Sequence, residues 1–65
     1  MRIDTAGTIW QVDYFRNVAR GAAFWCNGNK WRKQSSRTAR PISDGIPNRA
    51  FYFRGNEICE SVLAR

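Results

Sequence analysis

The clearest hydrophobic pattern in the chain lies on both sides of an Asn-Gly pair. The segments 22–26 (AAFWC) and 29–33 (NKWRK) flank Asn27 and Gly28, and both contain the aromatic residues that are typical of strands. Asn-Gly favours a type I′ turn, because both central positions of that turn need a positive φ. The pattern therefore predicts a β-hairpin with a two-residue turn. In this hairpin the expected cross-strand pairs are Cys26 with Asn29, Trp25 with Lys30, Phe24 with Trp31 and Ala23 with Arg32.

The period of two along a strand sorts the side chains of this hairpin onto two faces. The face with the larger apolar area is predicted to turn toward the core, and it carries Ala22, Phe24, Cys26, Asn29, Trp31 and Lys33. The other face is predicted to meet solvent, and it carries Ala23, Trp25, Lys30 and Arg32. The two tryptophans of the hairpin are therefore expected to have different roles.

Segment 8–20 fits two structures. Apolar residues at positions 10, 12 and 14 alternate with polar ones, which favours a strand. The alternative is a helix, because Thr8 and Gln11 fit a capping box and Gly21 suits a helix end.

Segment 57–65 is ambiguous in the same way. Gly55-Asn56 suits a hairpin turn before a final strand, which would place Phe53 opposite Ile58. Alternatively, Asn56 caps a short helix in which Glu57 and Glu60 lie near the positive end.

The remaining segments complete a mainly β prediction. Segment 35–48 contains two prolines and Asp44-Gly45, so it is expected to be a basic loop with an extended stretch before Pro41. The segment Arg49–Arg54 is expected to be a strand. We therefore expect a small antiparallel sheet or partial barrel of four or five short strands, or an α+β fold with one short helix. The expected core consists of Trp10, Val12, Phe24, Trp31, Phe51, Phe53, Ile58 and Val62.

Length and composition narrow the classes of function. The 65 residues make one small domain, 1–65, which excludes a two-domain enzyme and a large substrate cavity. The chain has no histidine, and its two cysteines, Cys26 and Cys59, form no Cys-x-x-Cys pair. A structural zinc site needs four ligands. We therefore expect no catalytic residue, no metal and no cofactor.

The cysteines and the hydropathy also bear on the compartment. Two reduced thiols in a cytoplasmic protein are the default, and a Cys26–Cys59 disulfide in an oxidising compartment is the alternative. No apolar run approaches the length of a membrane helix, and the N-terminal segment lacks the apolar core of a signal peptide. The expected location is the cytoplasm.

Charge is distributed unevenly along the chain. There are 11 Lys and Arg residues against 5 Asp and Glu residues, for a net charge of +6. Between Tyr14 and Ser43 there are seven cations and no acid. This span predicts a polyanionic partner, although charge that protects a sheet edge is the plainer explanation.

The candidate binding residues follow from that span. An aromatic ring beside cations is typical of single-stranded nucleic-acid binding, because rings stack on bases while cations contact phosphates. No recognition helix for a major groove is evident, so RNA or single strands are favoured. The candidate residues are Trp25, Lys30, Arg32, Lys33, Arg37 and Arg40.

The stretch Val18 to Ala39 resembles a recurrent pattern in small β-rich proteins that phages and plasmids encode. It has Gly21 in a turn, an apolar strand through Phe24, the Asn-Gly turn, and then Lys30-Trp31-Arg32-Lys33. The resemblance implies a modulator of host enzymes, RNA or defence systems in the host cytoplasm, and it carries no catalytic residue. It supports an alternative function, in which the same basic and aromatic surface docks on an acidic surface of a host protein. A second copy of the chain is a further candidate partner, because pairing would hide a sheet edge.

Overall fold

The computed structural model describes residues 1–64, which form one antiparallel sheet of seven strands. The strands are β1 (Arg2–Ile3), β2 (Ile9–Tyr14), β3 (Ala23–Cys26), β4 (Asn29–Lys33), β5 (Thr38–Pro41), β6 (Phe51–Tyr52) and β7 (Ile58–Ala64). Their order across the sheet is β1-β2-β7-β3-β4-β5-β6. The predicted mainly β fold with a small antiparallel sheet is therefore confirmed.

Both ambiguous segments form strands. The helix alternative for 8–20 is wrong, because β2 is followed only by a single 3-10 turn at Phe15–Asn17. The helix alternative for 57–65 is also wrong, because β7 begins at Ile58. Seven strands exceed the expected four or five, because β1 and β6 contain only two residues each.

The central hairpin has the predicted turn and register. Asn27 and Gly28 both have positive φ, 54° and 78°, as a type I′ turn requires. Phe24 pairs with Trp31 across β3 and β4, and each of the other predicted pairs is also present. The turn residues therefore determine which side chains of these strands share a face.

The segment before β7 does not form the expected hairpin. β6 pairs with β5, whereas β7 pairs with β2 and β3, so the prediction that Phe53 lies opposite Ile58 is wrong. Instead, the segment is held against the 3-10 turn. The amide N–H of Phe15 donates to the carbonyl of Glu57 at 2.8 Å, and that of Arg16 donates to the carbonyl of Gly55 at 3.0 Å.

One side of the sheet, the inner face, carries the hydrophobic core. Phe15, Phe24 and Phe53 contact one another there, with ring centroids 4.9–5.4 Å apart. Trp31 packs edge-on against Phe53 at 5.0 Å, and Phe51 packs partly buried against the cluster. The cluster also includes Val18, Cys26, Ala39 and Cys59. The predicted inward face of the hairpin is thus confirmed.

The opposite side, the outer face, explains two wrong core predictions. Val12 and Ile58 project from it and are 62% and 58% exposed. Alternation causes this, because the register that buries Cys59 on the inner face turns Ile58 outward. Trp10 is buried as predicted, but it lies apart from the core, against Trp25 on the outer face.

Candidate nucleic-acid interface

Lys33 lies on the inner face, which removes it from the candidate binding residues. It is 5% exposed, and its Nζ donates to the carbonyls of Phe15 and Val18, both at 2.8 Å. Burial lowers the pKa of Lys33 from its ordinary value of 10.5, because desolvation disfavours the charged form. The side chain therefore fixes the 3-10 turn against β4 and is too deeply buried to contact a ligand at the surface.

Arg32 and Arg40 are directly paired across β4 and β5 on the outer face. Facing residues of an antiparallel pair have Cβ atoms about 4.5–5.5 Å apart, and like charges in this position destabilise a sheet. Within residues 1–64, neither guanidinium has a carboxylate partner. Each donates to one backbone carbonyl, Arg32 to Gly21 at 2.8 Å and Arg40 to Asn48 at 3.2 Å. The pair keeps most of its N–H donors for an anion.

Trp25 belongs to a second cluster of the outer face. Its ring lies 6.3 Å from that of Trp10, edge to face, and the Arg2 guanidinium lies 5.5 Å from its centroid. Arg2 is held in place by Glu60 at 3.0 Å. Trp25 is partly buried by these neighbours, so it offers less surface for stacking than the sequence predicts.

Lys30 connects the tryptophan cluster to the arginine pair. It is the cross-strand partner of Trp25, and its Nζ lies 5.8 Å from the ring centroid of Trp10, within range of cation–π attraction. The Nε1 of Trp10 donates to Asp4 at 2.9 Å, and this bond is the main reason that the pKa of Asp4 is lowered. Asp4 is therefore engaged by the indole, and Lys30 remains a cation of the outer face.

Tyr52 in β6 has the most exposed aromatic ring among residues 1–64, at 86%. It pairs with Thr38 of β5 and projects outward, whereas its neighbours Phe51 and Phe53 pack toward the core. Sequence reasoning placed Phe51 and Phe53 in the core but did not draw the consequence that Tyr52, between them, points outward. The signal was available in the period of two within Phe-Tyr-Phe.

A groove of about 700 Å³ lies beside Tyr52, at the ends of β5 and β6. Its position is set by a hydrogen bond from the N–H of Phe53 to the carbonyl of Arg37, at 2.7 Å, which continues the pairing of the two strands. The groove is lined by Ser36, Arg37, Tyr52, Phe53, Arg54, Gly55 and Glu57. Arg37 thus lies in this groove, whereas Arg32 and Arg40 lie on the outer face.

Apart from Arg2 in β1, which pairs with Glu60, the charged residues of the described strands are separated by sign. β3, β4, β5 and β6 contain four cations and no acid, whereas β2 and β7 contain Asp13 and Glu60. The basic span of the sequence therefore becomes one side of the sheet, and of its strand cations only Lys33 points inward.

The buried thiols are not activated. Cys26 and Cys59 are free and buried, and burial is the main cause that raises both pKa values, that of Cys59 to about 12. Within the described residues, no group of three or more His, Cys, Asp or Glu side chains could hold a metal ion. What the outer face and its groove present is positive charge, hydrogen-bond donors and an exposed ring.

Comparison of the chain with protein-family models, with curated proteins and with solved structures found no match. None of the helical structure in residues 1–64 is long and apolar enough to cross a membrane. A functional conclusion therefore has to come from the side chains themselves.

Proposed function

We propose that this chain is a non-enzymatic, cytoplasmic accessory protein that binds nucleic acid, with RNA or single strands preferred. The observation that carries the proposal is the cross-strand pair of Arg32 and Arg40. These two like charges, paired across neighbouring strands and without a carboxylate partner within residues 1–64, oppose sheet formation. An anion placed between them removes that cost, and a nucleic-acid backbone supplies phosphates at regular spacing.

The aromatic contribution comes from Tyr52 in this proposal. Its ring is open to solvent, and its partner Thr38 is two residues from Arg40 on the same face of β5. Base–aromatic stacking contributes about 1–3 kcal/mol per base. Trp25 takes the supporting role of packing under Arg2.

The shape of the surface favours unpaired bases. The described part of the chain has only one turn of 3-10 helix, and reading a duplex through its major groove usually needs a longer helix or a projecting β-ribbon. A sheet face with one exposed ring and flanking cations suits bases that are already unstacked.

The test is a salt titration with a labelled single-stranded RNA. Contacts to phosphate release counterions, so the logarithm of the binding constant should fall as the logarithm of salt concentration rises, with a slope of about −0.7 per phosphate for single strands. Replacement of both Arg32 and Arg40 by Gln should flatten the slope by about 1.4, similarly for unrelated sequences.

The matched control removes the same charge elsewhere. Arg16 and Arg20 are exposed and lie outside β3–β6, so their joint replacement by Gln should change the slope less. Equal effects of the two double variants would mean that Arg32 and Arg40 contribute only through the net charge of the protein and not through their position. No binding at low salt by the folded protein would end the nucleic-acid proposal.

The alternative function is docking on an acidic surface of a host protein, as an inhibitor or regulator that a phage or plasmid encodes. Tyrosine and arginine dominate binding energy at protein interfaces, and Tyr52, Arg32 and Arg40 supply both types on one face. Affinity capture from a host lysate with and without nuclease separates the two functions. A partner that survives nuclease favours the protein, and one that is lost favours nucleic acid.

A further inference from the structure

The groove beside Tyr52 contains a carboxylate among its cations. Arg37 and Arg54 are exposed on its walls, and Glu57 is partly buried in it. Within residues 1–64, the carboxylate of Glu57 makes no ion pair and no hydrogen bond, although its backbone N–H and carbonyl are both bonded. An anion-binding groove built only for phosphate gains nothing from this acid, which repels phosphate.

A carboxylate becomes useful when the ligand presents donors. An ionised carboxyl group only accepts hydrogen bonds, and its two oxygens accept from two parallel N–H groups. Among the common bases, only guanine has two adjacent N–H donors on its Watson–Crick edge, at N1 and N2. Single-stranded bases are read on that edge while they stack on aromatic side chains.

We propose that the groove binds one guanine nucleotide of a single strand. Tyr52 stacks on the base, Glu57 accepts from N1–H and N2–H, and Arg37 and Arg54 contact the flanking phosphates. The inference deepens the proposed nucleic-acid function and rests on it. The groove volume of about 700 Å³ lies within the range of roughly 300–1,000 Å³ that is common for small-molecule sites.

The floor of the groove is fixed by the backbone. Gly55 lines it and accepts the N–H of Arg16 at 3.0 Å, while Phe53 is buried in the core beneath. The N–H of Glu57 donates to the carbonyl of Arg54, also at 3.0 Å. These bonds hold the backbone of the acid and of one cation in place, so recognition does not require the loop to order first.

The test compares short oligouridines that carry one central guanosine, inosine, 7-deazaguanosine, adenosine or cytidine, by fluorescence anisotropy at low salt. A bidentate contact to a base discriminates by about 5- to 150-fold, so guanosine should bind at least about fivefold tighter than adenosine or cytidine. Inosine lacks the N2 amino group and should lose most of this preference. 7-Deazaguanosine keeps the Watson–Crick edge and should retain it.

Two variants with the same charge change complete the test. Glu57→Gln should abolish the preference for guanosine without weakening binding to oligouridine, whereas Glu60→Gln, on β7, should keep the preference. Tyr52→Ala should weaken all the oligonucleotides about fivefold or more, and Tyr14→Ala, on β2, should not. Equal binding of guanosine and inosine would overturn the guanine site and leave the proposed function standing. Binding of none of the oligonucleotides would overturn both.

Discussion

The two faces of the β3–β4 hairpin carry the same residue types with opposite consequences. The inner face has Trp31 and Lys33, and the outer face has Trp25 and Lys30. On the inner face the side-chain nitrogens of both residues are hydrogen-bonded. The Nε1 of Trp31 donates to the carbonyl of Cys26 at 3.1 Å, and the Nζ of Lys33 donates to two carbonyls.

On the outer face the equivalent atoms are less well satisfied. The indole N–H of Trp25 is buried and has no acceptor among the described residues, and Lys30 lies over an aromatic ring rather than beside an acceptor. We therefore expect stability to depend on the inner pair more than on the outer pair, and the binding that we propose belongs to the outer surface. The comparison shows that neighbours, more than residue type, determine the role of a tryptophan or a lysine.

The largest expected effect comes from the tryptophans. Trp31→Ala should lower the free energy of unfolding by about 3–5 kcal/mol, because it leaves a cavity against Phe53. Trp25→Ala should cost markedly less stability, since Trp25 is only partly buried and packs against Trp10 alone among the aromatic rings. Urea denaturation of both variants measures the difference. A larger loss of unfolding free energy for Trp25→Ala than for Trp31→Ala would contradict the assignment of Trp31 to the core face.

The lysines should differ in the same direction by a smaller amount. Lys33→Met keeps the apolar stem but leaves the carbonyls of Phe15 and Val18 without their donor, which should cost about 2–3 kcal/mol. Lys30→Met, the matched change on the other face, should alter stability by less than about 0.5 kcal/mol. If both lysines prove equally neutral in denaturation, the buried ammonium does not hold the 3-10 turn.

The hairpin turn determines which face each residue joins, so it offers a third test. Gly28 has a φ of 78°, and a Cβ built there meets no atom within 4 Å. Gly28→Val should therefore cost only the conformational strain of a β-branched residue at positive φ, about 1–2 kcal/mol. An unchanged denaturation midpoint would mean that the turn does not fix the register.

Much of this comparison could be predicted from the sequence, because Asn-Gly turn chemistry and a period of two are local signals. They predicted the hairpin pairs and placed Trp31 inside. Lys33 shows the limit of such reasoning. Its inward position followed from alternation, but the two carbonyls that hold it belong to Phe15 and Val18, and their approach depends on tertiary packing.

The groove and the position of β7 could not be predicted for a related reason. β7 pairs with strands that are distant in the chain, and short apolar runs do not specify such partners. Two wrong predictions have this cause: the placement of Ile58 in the core and its pairing with Phe53. Glu57 became a candidate only when the fold placed it in the same groove as Arg37 and Arg54.

The ionisable groups of the inner face allow a test by pH. The two cysteines should lower the stability of the fold as pH rises, whereas Lys33 should raise it. The raised pKa values of Cys26 and Cys59 mean that the unfolded chain loses thiol protons before the folded chain does. Their contribution to stability is therefore complete below their ordinary pKa of 9.0 and is lost as pH rises from there toward about 12. Well below pH 9.0 the thiols are protonated in both states and contribute no slope.

Lys33 should produce the smallest of these effects, with the opposite sign. Its pKa is lowered in the folded state, so at a pH between that value and 10.5 the unfolded chain binds more protons, and stability contributed by this group rises with pH. One group cannot contribute a slope above about 1.4 kcal/mol per pH unit. The difference in unfolding free energy between the wild-type chain and Lys33→Met, measured by urea denaturation from neutral pH up to the ordinary lysine pKa of 10.5, should therefore increase with pH. A difference for Lys33→Met that shrinks as pH rises would mean that the two carbonyls stabilise the ammonium by more than burial destabilises it.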